Sequence, residues 1–491
     1  MTPTAEPTSL ADAGPDARRP LVELLSLALP TIAQMTSYTV MQFTDTYMLS
    51  RVSDTAATAA AQAGMVEFSL LSFGVGTLLL VNTLVSQSYG RRDYRSCGRY
   101  LWQGVWASLA FGLVTLPMLP LAGPMFRFIG HREPMAAMEA SFFSILLGAA
   151  TLKLMSVSVG QFLLAVSRPN VVLVAAASAA VVNALLNWVF IYGHLGLPPM
   201  GVSGSAWSTN GALLVELLVL VAVASRPATV EKFHVNDWRP RRAMMRTLLA
   251  VGAPSGVQVV AEVLAWTLFT VWVVARFGES AMAANNYTFR FMSVSFMPIF
   301  GVSTAVTALV GRYLGMKRPD LAEARAHLGF FVAASYTLLC GALFYFGRRA
   351  LLGLFTRDPE VLRVGELLLT FAAAYQVFDA MYIIYNGALR GAGDTFVPAV
   401  VTGTLCWGFT VVGAYAVARQ FPQLGVVGPW SLAMTYGAIL GAYLLWRFRR
   451  GRWKQIRLGQ PAPDEAVAPI APIAPAPSNV VSVSDTVPGL N

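Results

Sequence analysis

Residues 252–275 read GAPSGVQVVAEVLAWTLFTVWVVA, an apolar run of spanning length with one carboxylate, Glu262, near its middle. An ionisable side chain at that depth costs at least about 2.5 kcal/mol, so Glu262 is expected to face a protein interior or a wet cavity. Pro254 stands eight residues earlier, and Gln258 lies one turn before Glu262 on the same helical face. One helix thus combines a kink with an aligned polar stripe, the combination that a transport site needs.

Composition says what surrounds this helix. Hydrophobic residues make up 56% of the 491 and charged residues 12%, against roughly 25% charged in soluble chains. That is the composition of a polytopic membrane protein. The net charge of +10 does not point to nucleic acid. The Lys and Arg residues flank apolar segments, where they orient helices and meet anionic lipid head groups. Cys97, Cys340 and Cys406 are too far apart to form a disulfide framework or a metal cluster. The four histidines fall in or beside loops, which leaves no membrane-embedded His site.

Apolar stretches of spanning length fall at about 22–49, 60–86, 101–122, 140–166, 171–193, 204–225, 247–276, 284–311, 326–347, 364–389, 396–418 and 426–446. An even number places both termini on one side. Of the 35 Lys and Arg residues, 24 fall on that side and 9 on the other, which makes it the cytoplasmic side. The segment 348–363 carries four of the nine, and its amphipathic pattern suggests a helix lying along the interface.

The chain also repeats itself. Pro30 and Gln34 recur as Pro254 and Gln258, and FGVGT at 73–77 recurs as FGVST at 300–304. Leu84, Val85 and Gly90 recur as Leu309, Val310 and Gly315. Arg132-Glu133-Pro134 recurs as Arg357-Asp358-Pro359, and Pro198…Gly201-Val202…Gly204 as Pro422…Gly425-Val426…Gly428. All are offset by 224 to 227 residues and keep chain order. Six spans per copy make the copies parallel, related by an axis along the membrane normal. The expected fold is an all-α membrane protein with twelve transmembrane helices in two six-helix bundles. The expected organisation is a cytoplasmic tail at 1–20, lobes at 21–225 and 247–447, and a cytoplasmic linker at 226–246. A basic, then Ala- and Pro-rich, disordered tail follows at 448–491. The first twenty residues lack the apolar core of a signal peptide.

Polar residues inside spans mark the candidate site. In the tenth span, Tyr375, Tyr382 and Asn386 fall on one face with Asp379. With Glu262, this gives the second lobe two buried carboxylates, which do not both carry charge without a proton or cation between them. Oxygen-only ligands at Glu262 and Asp379 favour Na+ or a proton over a transition metal. In the first lobe, Asp45 follows Gln34, Tyr38 and Gln42 along the first span, and Asn183 and Asn187 lie one turn apart in the fifth. Lys153, mid-span in the fourth, is placed to neutralise Asp45, while Glu67 and Glu216 are expected to bond within their lobe. Abundant Met and aromatic residues suit a cavity that accepts flat hydrophobic cargo.

Together these residues resemble the MATE (multidrug and toxic compound extrusion) transporters, the NorM-like branch in particular. The resemblance runs from about Leu21 to Trp446. It is carried by TDTYM around Asp45, Gln87 and Gly90, the stretch 183–207, Pro254 with Glu262, and Asp379 followed by GALRGAGDT. It implies a V-shaped pair of bundles that exports organic cations in exchange for Na+ or H+. It also implies a cation site at Glu262, Asp379 and Tyr375, and a polar site at Asp45, Asn183 and Asn187 in the first lobe. Gln34, Gln42, Gln258, Tyr382, Asn386, Lys153 and Arg290 are then candidate cavity-lining residues. Asn187 stands where another prokaryotic branch has Asp. Arg290 stands where NorM-like members often have a neutral polar residue, and a fixed charge there would weaken Na+ binding at Glu262.

The expected activity is multidrug antiport, without an enzymatic step or a cofactor beyond the coupling ion. The expected partners are small organic cations and membrane lipids, not nucleic acid, and the expected state is a monomer in the bacterial inner membrane. Competing readings are a lipid-linked oligosaccharide flippase or an exporter of one endogenous metabolite. A flippase calls for a cationic cavity, whereas the intramembrane charges here are mostly acidic. A membrane-embedded transferase or hydrolase would need paired Asp or His motifs at a membrane face, and the sequence shows none.

Overall fold

The helix ends follow from residues that can satisfy or dispense with free N–H groups. Ser53 Oγ accepts from the Ala56 N–H at 3.0 Å, Asp93 Oδ1 from Ser96 at 3.1 Å and Asp358 Oδ1 from Glu360 at 2.8 Å. Pro20, Pro169, Pro319 and Pro359 occupy first-turn positions, where no donor is needed. The structure, a computed structural model, describes residues 19–456 and 458 apart from 129. Nearly all of the tail expected at 1–20, and the Ala- and Pro-rich part of the tail expected at 448–491, lie outside the described residues.

Twelve long helices follow one another. The first six are α1 (Pro20–Ser50), α2 (Asp54–Gly90), α3 (Tyr94–Phe128), α4 (Met135–Gly148 and Ala150–Ala165, bent by 48° between them), α5 (Pro169–Tyr192) and α6 (Gly201–Ala224). The second six are α7 (Arg242–Phe277), α8 (Glu279–Gly315), α9 (Pro319–Gly353), α10 (Pro359–Ala392), α11 (Phe396–Gln420) and α12 (Val427–Arg449). Nine of them, ten with bent α4, are long and apolar enough to cross a membrane. The remaining two, α1 and α12, are diluted by polar, Gly and aromatic residues.

One departure from expectation concerns helix ends. No separate interfacial helix covers 348–363, because α9 continues through Gly353 and α10 already begins at Pro359. The linker at 226–246 is ordered. A short helix, Pro227–Phe233, leads into a strap laid against α3. Trp102 Nε1 donates to Val235 O at 2.6 Å, Trp106 Nε1 to Trp238 O at 2.9 Å, and Arg99 Nε to Asp237 at 2.9 Å. Burial alone would raise the Asp237 carboxyl, but Arg99 and Arg241 hold it below the usual range.

The cores show how the two sets of helices are joined. One apolar cluster is built from 78–235 and another from 49–206, while the largest belongs to 265–453. The exceptions are instructive. Leu24, Leu27 and Ala28, from the start of α1, pack in the second lobe's core, and Leu248, from the start of α7, packs in the first lobe's core. Leu24 and Leu248 are 224 residues apart, the offset of the sequence repeat. The first helix of each lobe therefore anchors its beginning in the other lobe.

The join is tightest on the side of the basic loops. Gly90 of α2 and Gly315 of α8, repeat equivalents, meet backbone to backbone. A Cβ on Gly90 would lie 2.0 Å from Arg312 O, and one on Gly315 2.2 Å from Gln87 O. No side chain larger than hydrogen fits at this crossing. Close by, Thr83 Oγ1 donates to Arg390 O at 2.9 Å, and Gln87 Nε2 donates to Gly391 O at 3.1 Å. At the start of α1, Glu23 accepts from Tyr313 OH at 2.7 Å and pairs with Arg325 Nε at 2.7 Å. Nearer the middle, Thr31 Oγ1 donates to Gly301 O at 3.0 Å. Towards the opposite end, apolar side chains such as Phe43 and Met65 are exposed.

Candidate functional site

Glu262 sits on α7 eight residues past Pro254, one turn beyond Gln258. Its Oε1 accepts from Gln258 Nε2 at 3.1 Å and from the Tyr382 hydroxyl of α10. Gln258 Nε2 also reaches Tyr382 OH at 3.2 Å, so acid, amide and phenol form a closed triangle between α7 and α10. One turn before Tyr382 lies Asp379, 7% exposed, hydrogen-bonded to Tyr375 and within electrostatic reach of Glu262. The Tyr375 ring fits because α12 has no side chain at Gly437. A Cβ there would lie 1.9 Å from Tyr375 Cε2. Asn386 is half-buried on the next turn of α10. The structure therefore brings Glu262, Asp379, Tyr375, Gln258 and Tyr382 into one polar cluster inside the second lobe.

Two members of this cluster escaped the sequence reading. Tyr436 of α12 is 3% exposed and interacts electrostatically with Glu262, Tyr375 and Tyr382. Arg390, assigned from sequence to a cytoplasmic loop, lies inside α10 and is 9% exposed, with Nε unpartnered among the described residues. Its charge reaches Glu262. Arg290 is exposed on α8. At 3.6 residues per turn it points about 180° away from Ile299, which is buried in the core.

The first lobe holds a polar seam between α1, α5 and α6. Asn187 Nδ2 donates to Asp45 Oδ1 and lies 3.1 Å from Asn183 Oδ1, and Thr209 of α6 also bonds to Asp45. Both asparagines are fully buried. Two turns back along α1, Gln34 Nε2 donates to Tyr38 OH at 3.1 Å, and Tyr38 OH donates to Glu216 Oε1 of α6. Gln42 is exposed and does not share this face. Eight residues rotate it about 80° from Gln34. Lys153 does not neutralise Asp45. It binds both oxygens of Glu67 at 2.8 and 2.9 Å, because α4 packs against α2.

The pattern matches known proteins twice over within one chain. The MatE family model covers residues 30–189 and again 254–416, one match per lobe.

The chain belongs to the MATE family.

Its MATE relatives include the "Probable multidrug resistance protein NorM" of Rhizobium meliloti (strain 1021). The two are 29% identical over 441 residues, 87% of this chain and 92% of the relative. The multidrug resistance protein PmpM of Pseudomonas aeruginosa is 28% identical over 416 residues, 82% of this chain and 84% of the relative. Among solved structures, an outward-facing multidrug resistance MATE family transporter superimposes with a TM-score of 0.81 at 20% identity. That match covers 92% of this chain and all of the other. The fold is therefore the twelve-helix MATE fold, and the chain is a multi-pass integral membrane transporter.

Proposed function

We propose that this MATE transporter exports organic, often cationic, amphipathic compounds in exchange for Na+ or H+. The reading is carried by the Glu262–Asp379 cluster, with two intramembrane carboxylates against one nearby guanidinium, Arg390. Isolated charge of that kind is not left bare in a low-dielectric interior, so the site takes up a proton, a metal cation or a cationic cargo. Held in turn by the incoming ion and the outgoing drug, it couples the two by competition. Gln258, Tyr382 and Tyr375 orient the carboxylates, and Tyr436 closes the apolar wall. A 100 mV potential supplies about 2.3 kcal/mol per charge moved. Exchange of one ion for one monovalent drug moves no net charge, so the ion's chemical gradient drives it.

The basic loops support a cytoplasmic position for both ends of the helical core, and the bacterial sources of the relatives support an inner-membrane location. The Gly90–Gly315 crossing then closes the cytoplasmic side, which makes this the outward-facing conformation. Cargo of drug type follows the multidrug resistance names of the relatives, and the acidic lining favours cations over the polyanionic cargo of a flippase. The test is dye efflux from everted vesicles, started by a Na+ pulse and separately by a pH step. Glu262→Gln and Asp379→Asn are expected to abolish it at unchanged protein level in the membrane. Wild-type efflux in both variants would refute the ion-site assignment.

A further inference from the structure

The chain does not leave the helical core at the end of α12. Gly451, at φ +73°, reverses its direction, and a single tight turn, Arg452–Gln455, follows. Trp453 roots this turn in the second lobe. Its side chain is fully buried, stacks on Phe448 with ring centroids 4.6 Å apart, and donates from Nε1 to Phe448 O at 2.7 Å. Lys454 adds an ion pair with Glu323 of α9, and Ile456 packs on the same core as Trp453.

Two residues later the chain has changed lobes. Leu458 packs on the first lobe's core, and its carbonyl accepts from Arg91 Nη1, just past α2, at 3.0 Å. Arg91 directly follows Gly90, so this contact lies beside the Gly90–Gly315 crossing. Leu458 also covers the end of α10, where Gly393 leaves it room. A Cβ there would lie 2.3 Å from Leu458 Cδ1. Arg452, Lys454 and Gln455 are exposed, while Trp453, Ile456 and Leu458 turn inward. When the lobes part on this side, either Leu458 lets go of the first lobe or Trp453 is drawn out of the second. Leu458 is half-buried and Trp453 fully so, so the tip releases before the root.

We propose that residues 451–458 form a clasp across the two lobes, rooted at Trp453, and that the side of the basic loops opens only when its tip, Leu458, lets go of the first lobe. The clasp stands without the transport reading, and only the place of its release in the exchange cycle rests on that reading.

Ser86→Cys in the full-length protein reads the join, because Ser86 is fully buried against Gly311 of the other lobe. Maleimide labelling is followed site by site by peptide mass spectrometry, with native Cys406, fully buried inside the second lobe, as reference. Withdrawing a half-buried leucine from an apolar wall shifts an equilibrium about tenfold. Leu458→Ser is therefore expected to speed labelling of the introduced thiol about tenfold and to leave Cys406 unchanged. Leu458→Met, which keeps an apolar tip, is expected to label at the parent rate. Arg91→Leu is expected to speed labelling too, and less than additively with Leu458→Ser, because both act on one contact. A parent rate in Leu458→Ser would overturn the proposal. Equal acceleration at Cys406 would do the same, since it shows a loosened fold and not an opened join. If Leu458→Ser opens the join while Glu262→Gln and Asp379→Asn retain dye efflux, the clasp stands and the ion-site assignment falls. Lost efflux in the acid variants with unchanged labelling in Leu458→Ser gives the reverse.

Discussion

Glu23→Gln, in the first turn of α1, is expected to loosen the join on the basic side of the molecule. The Glu23 carboxylate takes hydrogen bonds from Tyr313 OH at 2.7 and 2.9 Å and from Arg325 Nε at 2.7 Å. The side chains of the ion pair are 4% and 5% exposed. The substitution leaves the Arg325 guanidinium buried against a neutral amide, and removing one partner of such a pair costs about 3–5 kcal/mol. Because the pair straddles the lobes, that cost falls on the joined arrangement and not on either lobe alone. Taking about 3 kcal/mol, the parted form rises about a hundredfold relative to the joined one. Ser86→Cys provides the readout. Ser86 is fully buried, and its Oγ lies 2.1 Å from where a Cβ on Gly311 of the other lobe would be. Maleimide labelling of that cysteine is expected to accelerate about a hundredfold in Glu23→Gln. Glu23→Met/Arg325→Met, which removes both charges, should return most of the way towards the parent rate. Equal labelling with and without Glu23→Gln, or a double-mutant cycle without coupling, would refute the reasoning.

Two further substitutions probe the interiors of the lobes. Gly437→Ala puts a methyl 1.9 Å from Tyr375 Cε2, and overpacking of this kind costs about 1–3 kcal/mol. The ring should leave Asp379, and dye efflux should fall at normal protein level, so undiminished efflux would contradict the packing. Lys153→Met strips the counter-ion from Glu67, whose side chain is 3% exposed, and should destabilise the protein by about 3–5 kcal/mol in detergent unfolding. Lys153→Met/Glu67→Gln should recover most of that loss. A Lys153→Met protein as stable as its parent would show that the pair does not support the lobe.

Most of the twelve helices were legible because their runs are long and apolar, and several are bounded by a proline or a capping residue. The cluster at Glu262 and Asp379 was legible because acids are rare in such runs and helical spacing placed Gln258, Tyr375 and Tyr382 beside them. What the sequence hid was partner choice between helices. Lys153 could be placed at mid-span, but only the packing of α4 on α2 gives it Glu67 instead of Asp45. Arg390 looked like one of many loop cations, because the continuation of α10 to Ala392 is not marked by hydropathy. Tyr436 carried no signal among so many aromatics. Glu23 was indistinguishable from a solvated first-turn acid until α8 and α9 were seen to enclose it.

The exchange of helix beginnings constrains how the molecule can move. If either lobe swung as a solid block, it would pull Leu24, Leu27 and Ala28 from one core or Leu248 from the other, exposing apolar surface to no benefit. Flexing within α1 and α7 lets the polar faces move while the join on the basic side, the Glu23–Arg325 pair included, stays closed. Pro30 and Pro254 lie between the anchored turns and the polar faces at Gln34 and Gln258, and each deprives its helix of a backbone hydrogen bond. The two prolines are the elbows of the transporter, with the forearms carrying the polar faces and the upper arms clasped in the opposite shoulder.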